Sequence, residues 1–341
     1  MVDHCPQRII LHVGTPKTGT TAIQSAMATG REQLSGLGVC YPKAGEPGRG
    51  LHGHHNLAYE IAPGPNRLKF RQEYGTWANL VEEVRKSGAS TVLISSEAFR
   101  FHLARLLAAR IAEFWPAERI EVVLYLRPQW EYIESGYNQL ARFGGIEGES
   151  IAQFWMRQSK RLGDYRHLIS VWEQNFPNSL VTFLPYTRQR MEGGIVQDFE
   201  SNVLRSGHTF GAKETSNPKV GMRAISAVQY VKSELRRKTA KADLRVPNSA
   251  VFSIRKLFTE RFADVVDFTF MTATLEAQIA EECNEINSWL RSRYPLFAQS
   301  DFGHLPSRPR PPLFEETQFE GAERAALDEI VRMTLPKLGR L

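Results

Sequence analysis

Eight adjacent residues near the amino terminus, Gly14-Thr15-Pro16-Lys17-Thr18-Gly19-Thr20-Thr21, have the make-up of an anion cradle. Glycines let backbone N–H groups converge on a ligand, hydroxyls add short donors, and a lysine supplies positive charge. A helix starting directly after such a loop adds its unpaired first-turn N–H groups and its dipole. The nucleotide-hydrolysing version, GxxxxGK[ST], carries lysine after the second glycine and then a magnesium-holding Ser or Thr. Here Gly14 and Gly19 keep the four-residue gap, but Thr20 stands where that lysine belongs, and the loop's lysine is Lys17. No apolar run ends in an obvious magnesium-binding aspartate; one of them ends Ser95-Ser96-Glu97.

Other reactive side chains fall at the ends of apolar runs or in connections. Arg127 closes the run Val122-Val123-Leu124-Tyr125-Leu126, and Ser135 follows eight residues on. His52, His54 and His55 cluster in the Gly/His/Pro-rich stretch Gly45 to Pro65, a long connection of the kind that carries function or moves. Cys5, Cys40 and Cys283 show neither CxxC nor Cys/His ligand spacing, which argues against a disulfide framework and a structural zinc site and suits a reducing compartment.

The elements that must position these groups read as alternating strands and helices. Arg8 to Val13, Thr91 to Ser95, Ile120 to Leu126 and Leu180 to Leu184 are short, nearly continuous apolar runs, as expected of parallel strands covered on both faces. Helical spacing is visible in Thr20 to Thr29, Thr76 to Lys86, Phe101 to Phe114, Trp130 to Arg142 and Ile151 to Phe176. The order predicts a three-layer α/β/α fold around a mostly parallel sheet, with the Gly14–Thr21 loop between the first strand and first helix. Beyond about residue 215 helices dominate: Gly221 to Lys238, Ser253 to Phe262 and Thr274 to Arg293, the last with Thr274 as N-cap. Ser307-Arg308-Pro309-Arg310-Pro311-Pro312 reads as a connection, and residues 322 to 339 as a terminal amphipathic helix. The expected organisation is one large domain over 1–305, with a nucleotide-binding core at about 8–190 and a helical part at about 215–300, followed by the 306–341 segment.

With 341 residues and 42% hydrophobic content, the chain can bury a sizeable core, and disorder is excluded as its default state. Ile9 to Val13 is too short for a signal or membrane segment, so a soluble, cytoplasmic protein is expected. The net charge of +6 and sequence pI near 9.2 are compatible with an anionic small ligand or peripheral contact with an anionic membrane surface. Basic residues occur in dispersed groups such as Arg236-Arg237-Lys238, without the stripe that nucleic-acid binding calls for.

Pro16-Lys17-Thr18-Gly19-Thr20-Thr21 resembles the 5′-phosphosulfate loop of sulfotransferases that use 3′-phosphoadenosine 5′-phosphosulfate (PAPS), which reads PK(S/T)GTT after an apolar strand. Arg127-Pro128, with Ser135-Gly136-Tyr137 on the next helix, resembles that family's 3′-phosphate site, although Gln129 follows the proline here. The resemblance implies that Lys17 holds the bridging and sulfuryl oxygens, that Pro16, Thr18, Gly19, Thr20 and Thr21 line the 5′-phosphate, and that Arg127 and Ser135 bind the 3′-phosphate. It also implies metal-independent transfer to a hydroxyl acceptor, a carbohydrate, glycolipid or small metabolite, of the kind bacterial members use. The family's RKG closing segment is missing; Lys213 to Lys219 occupies its place, making Ser216, Asn217 and Lys219 candidates for nucleotide contact. A general base for the acceptor hydroxyl comes from Glu97, at the carboxyl end of a parallel strand where α/β sheets bind ligands, or from His52, His54 or His55. Tyr41, Tyr59, Trp77, Phe99, Trp130 and Tyr137 are candidate acceptor-lining rings. Two other readings stay open: a nucleotide-dependent kinase or NTPase, and a non-catalytic nucleotide- or glycan-binding module.

Overall fold

The computed structural model describes residues 5–48, 50–146, 148–205, 207, 220–239, 244–305 and 309–338, the side chains of 160–162 excepted. In chain order the elements begin β1 (Arg8–Val13), α1 (Thr20–Thr29), α2 (Arg31–Gly36), β2 (Val39–Cys40), α3 (His55–Ile61), α4 (Trp77–Ser87), β3 (Thr91–Ser96), α5 (Ala104–Ala112) and β4 (Ile120–Leu126). They continue with α6 (Gln129–Ala141), α7 (Ile151–Leu162), α8 (Tyr165–Asn175), β5 (Leu180–Pro185), α9 (Ile195–Phe199), α10 (Met222–Thr239) and α11 (Asn248–Glu260). The last four are α12 (Ala273–Glu282), α13 (Asn284–Arg293), α14 (Pro295–Ala298) and α15 (Gly321–Leu338). Contacts divide the chain into two compact units: residues 1–128, 164–215 and 284–303 form the first, and 129–163, 216–283 and 304–341 the second.

The first unit is built on a five-stranded, all-parallel sheet in the order β2-β3-β1-β4-β5. Its continuous apolar runs follow from burial on both faces. Ile9, Leu11 and Val13 join one core with Val92, Ile94, Val122 and Leu124, covered by α3, α4, α5, α8, α13 and α14. Ile10, Leu93, Val123 and Tyr125 point the other way, against Ile23 and Met27 of α1 and Phe199 of α9. This is the expected three-layer α/β/α arrangement. Because the chain leaves β1 for one side of the sheet and later returns to the other, the carboxyl ends of β3, β1 and β4 surround a topological switch point, where such sheets hold ligands.

Several boundaries differ from the sequence expectation. Residues 45–65 are not one long loop: α3 starts at His55, and a 3₁₀ helix, Gly64–Lys69, follows it. Ile151 to Phe176 is two helices, because Asp164 accepts the backbone N–H of His167 and starts α8 afresh. Thr274 to Arg293 likewise breaks at Cys283, and the N-cap is Thr272, whose hydroxyl accepts the Leu275 N–H. The two-residue strand β2 carries no readable period.

In the second unit, α10 packs against α11 and α15. Ile225, Val228, Val231 and Leu235 recur at helical spacing and are fully buried. The Asp264 carboxylate accepts the N–H groups of Arg223 and Ala224 and so caps the start of α10. Among the described residues, no helix is long and apolar enough to cross a membrane. The three thiols are all unpaired.

Candidate functional site

The Gly14–Thr21 loop sits at the carboxyl end of β1, pinned from below. Gly14 N–H donates to Ser96 O at 3.2 Å, tying the loop to the end of β3. A Cβ at Gly14 would lie 2.7 Å from Glu97 Cα, so the close approach of the two strand ends requires glycine there. Within the loop, Thr18 Oγ1 donates to Thr15 O at 2.6 Å. Lys17 adopts the left-handed conformation (φ 71°), which costs a side-chain-bearing residue about 1 kcal/mol and is retained mainly where the surroundings impose it. Gly19, at φ 76°, leads into α1 as an N-cap without a side-chain acceptor, and α1 has no acidic residue in its first turn. The helix therefore presents its first N–H groups and positive dipole end without an internal anion to neutralise them.

A bound anion fits this loop on a second observation. Thr15 Oγ1 and Thr20 Oγ1 are buried, and neither has a hydrogen-bond partner. Buried hydroxyls are nearly always satisfied by protein, water or ligand, so two orphans in one loop leave hydrogen-bonding capacity that oxygens of a bound anion would fill. Both hydroxyls, the loop glycines and Lys17 match a phosphate or sulfate ester.

Arg127 converges on the same loop. It follows β4, its Nη1 donates to the Lys17 carbonyl at 3.1 Å, and its guanidinium stacks over the Tyr186 ring at 5.3 Å. The Tyr165 hydroxyl donates to the Arg127 carbonyl at 2.6 Å and fixes the backbone. Ser135 lies half-buried on α6, in the second unit. Ser216, Asn217 and Lys219 lie outside the described residues.

The three histidines separate clearly. His54 is fully buried, with Nδ1 accepting the Ser95 N–H at 3.0 Å and Nε2 donating to the Pro42 carbonyl at 2.9 Å. Both nitrogens are committed to backbone, and burial lowers its pKa to about 4, so it is a structural group. The carbonyl of His52 accepts the Tyr41 hydroxyl, and its ring lies 3.9 Å from the Glu46 carboxylate. His55, at the start of α3, has Nδ1 2.7 Å from Ser96 Oγ. Burial lowers its pKa, and the nearby Glu97 carboxylate acts in the opposite direction.

His55 and Glu97 share a cavity of about 220 Å³, completed by Tyr59 and Asn66, by Lys69 and Arg100, and by His102. Of the six candidate rings, Tyr59 lines this cavity, whereas Tyr41, Trp77 and Phe99 are buried in the first unit and Trp130 and Tyr137 in the second. The carboxylate and imidazole suit proton removal from a hydroxyl; the loop beyond Gly14 suits a phosphorylated or sulfated donor.

Two groups escaped sequence reasoning. His12, inside the apolar run of β1, is fully buried with its Nδ1 2.9 Å from Ser95 Oγ, its Nε2 unpartnered and its pKa lowered by burial to about 3. Gln24 Nε2 donates to the same Ser95 hydroxyl at 3.2 Å, so a polar network lies directly beneath the strand ends. Lys69 and Arg100 also went unnoticed, because only packing brings the Gly64–Lys69 helix to the end of β3. Among the described residues, no cluster of three or more His, Cys, Asp or Glu is placed to hold a metal ion.

Comparison of the chain with protein-family models, with curated proteins and with solved structures returns no match.

Proposed function

We propose that this protein transfers the sulfuryl group of PAPS to a hydroxyl acceptor, a carbohydrate or glycolipid. One observation carries the reading: the Gly14–Thr21 loop holds Lys17 in a left-handed conformation and two orphaned buried hydroxyls, and adjoins a cavity containing His55 and Glu97. Its PKTGTT sequence agrees with the phosphosulfate loop it resembles.

Thr15 and Thr20 hydroxyls, the α1 N–H groups and Lys17 would hold the 5′-phosphosulfate end, and Arg127 a second phosphate. Bound PAPS supplies an electrophilic sulfur and a phosphate leaving group: the acceptor oxygen–sulfur bond forms as the sulfur–bridging oxygen bond breaks, with the electron pair going to the phosphate. The chain's own residues supply position, charge and a proton path. Lys17 and the helix amides counter negative charge where it grows on the leaving side. On the acceptor side, burial keeps His55 neutral at physiological pH and so able to accept a proton. The tautomer that donates Nδ1–H to Ser96 Oγ leaves Nε2 with a lone pair, and Ser96 Oγ is held in turn by the Ala98 N–H at 3.1 Å. Glu97 stabilises the imidazolium that results, or itself receives the proton.

Titration with PAP, the desulfated donor, tests the reading, followed by transfer from labelled PAPS to glycan, glycolipid and phenol acceptors. Micromolar PAP binding that Lys17→Ala weakens about 100-fold or more is expected, from loss of charge-assisted bonds to phosphate. Binding of MgATP but not PAP, unaffected by Lys17→Ala, would overturn it in favour of a kinase or NTPase; tight PAP binding without any transfer would favour a binding module.

A further inference from the structure

The cavity beside the loop keeps opposite charges apart. The Glu97 carboxylate and the Arg100 guanidinium both line it, yet neither forms a hydrogen bond or ion pair with any described residue, nor do they pair with each other. Lys69, on the same cavity, has its Nζ 3.1 Å from Asn66 Oδ1 and 5.5 Å from the centre of the Tyr59 ring, with no carboxylate partner. Opposite charges in a shared recess attract by an amount that grows as water is displaced, and neighbours free to do so pair. The three come from different backbone segments: Glu97 follows β3, Arg100 precedes the short 3₁₀ turn Phe101–Leu103, and Lys69 closes the 3₁₀ helix after α3.

Glu97 acts on His55, whereas Arg100 and Lys69 have no carboxylate partner among the described residues and keep their charge available to a ligand. From this geometry, and resting on the sulfotransfer reading above, we propose that the acceptor is an acidic sugar, with a hydroxyl directed to His55 and Glu97 and a carboxylate or ester anion bound by Arg100 and Lys69. Arginine's planar fork matches a carboxylate or sulfate in two parallel hydrogen bonds, and lysine adds an unoriented charge. The Tyr59 ring offers the apolar face on which a pyranose packs. At about 220 Å³ the cavity falls below the range of about 300–1,000 Å³ usual for drug-sized ligands, which suits one sugar ring with its substituent. Arg100 and Lys69 would then determine specificity by charge, while His55 and Glu97 handle the hydroxyl.

The test compares 4-nitrophenyl β-D-glucuronide with 4-nitrophenyl β-D-glucoside, titrated calorimetrically into the full chain with and without saturating PAP. The glucuronide should bind about tenfold or more tightly than the glucoside, and the double variant Lys69→Gln/Arg100→Gln should erase that preference while binding PAP as wild type does. Both side chains are exposed, so the variant should fold; its urea midpoint provides the control. Equal binding of the two glycosides, absence of glucuronide binding up to about 10 mM, or a preference that survives the double substitution would overturn the proposal. A preference retained in a protein that does not bind PAP would sink the nucleotide reading alone, leaving an acidic-sugar site; PAP binding without the preference would sink this inference alone.

Discussion

Replacing Gly14 by alanine tests whether the loop and the end of β3 are one mechanical piece. The new Cβ would lie 2.7 Å from both Cα and Cβ of Glu97 and 3.2 Å from Thr20 Oγ1. Carbon atoms settle at about 3.5–4.0 Å, and Glu97 Cα is backbone, so the strand ends must part by about 1 Å. That displacement stretches the Gly14 N–H to Ser96 O bond, already 3.2 Å, beyond useful length. Overpacking of this kind costs about 1–3 kcal/mol and the lost bond about 1 kcal/mol, for a total of about 2–4 kcal/mol. Urea denaturation reads it as a lower midpoint at unchanged slope. Since Glu97 moves against the loop, turnover should fall about 100-fold, the usual consequence of misplacing a reacting group by that distance. Gly36→Ala is the control: nothing lies within 4 Å of its Cβ, so it should be neutral or stabilising by up to about 1 kcal/mol. A Gly14→Ala protein within about 0.5 kcal/mol of wild type, with full PAP affinity and turnover, would refute the close approach and the coupling of the loop to the end of β3.

Thr20→Val removes a buried hydroxyl with no partner and keeps its shape, so the ligand-free protein should gain about 1 kcal/mol in urea denaturation while PAP affinity drops about tenfold; a loss of stability would show that the hydroxyl is satisfied internally. With His55 as base, acceptor turnover should rise with pH through a value below the ordinary histidine 6.5 and level off above it, because burial lowers that pKa and the base must be deprotonated. His55→Gln should abolish this limb; a limb that persists in the variant and lies in the carboxylate range would assign the proton to Glu97. Stability carries its own pH signature: His12 and His54, with pKa values of about 3 and 4, stay neutral in the fold while the unfolded chain binds protons below about 6.5, so stability rises with pH across that window. From pH 7 down to pH 5 the two together should remove about 4 kcal/mol, measured as urea midpoints, and a flat profile would contradict their neutral burial.

Strands β1, β3 and β4 were legible because burial on both faces leaves nearly unbroken apolar runs, the edge strand β5 because its residues are mostly apolar although only its last three are buried, and the loop because glycine, lysine and threonine crowd into eight positions. The cavity was not. α3 hides behind Gly53-His54-His55, where turn-like residues mask two helical turns whose buried members are only Asn56, Leu57 and Ala58. Sequence also left three histidines equivalent, and only the hydrogen bonds of His54 to Ser95 and Pro42 distinguish a scaffold residue from the reactive-edge His55. His12 shows the same limit from the other side, since a single polar residue in an apolar run gives no hint of the Ser95 hydroxyl it meets on the neighbouring strand, or of the Gln24 amide that shares that hydroxyl.

The central position of β1 has a consequence for how the chain comes to be folded. Ile9 pairs with Val92 on one side and with Ile120 on the other, partners that come much later in the chain. The strand gains its second neighbour only after the chain through β4 has been made, and such long-range parallel pairing is intrinsically slow. The loop after β1, though encoded before both partner strands, is thus fixed late, and a chain truncated before β4 would leave Ile9, Ile10, Leu11 and Val13 on a sticky apolar edge.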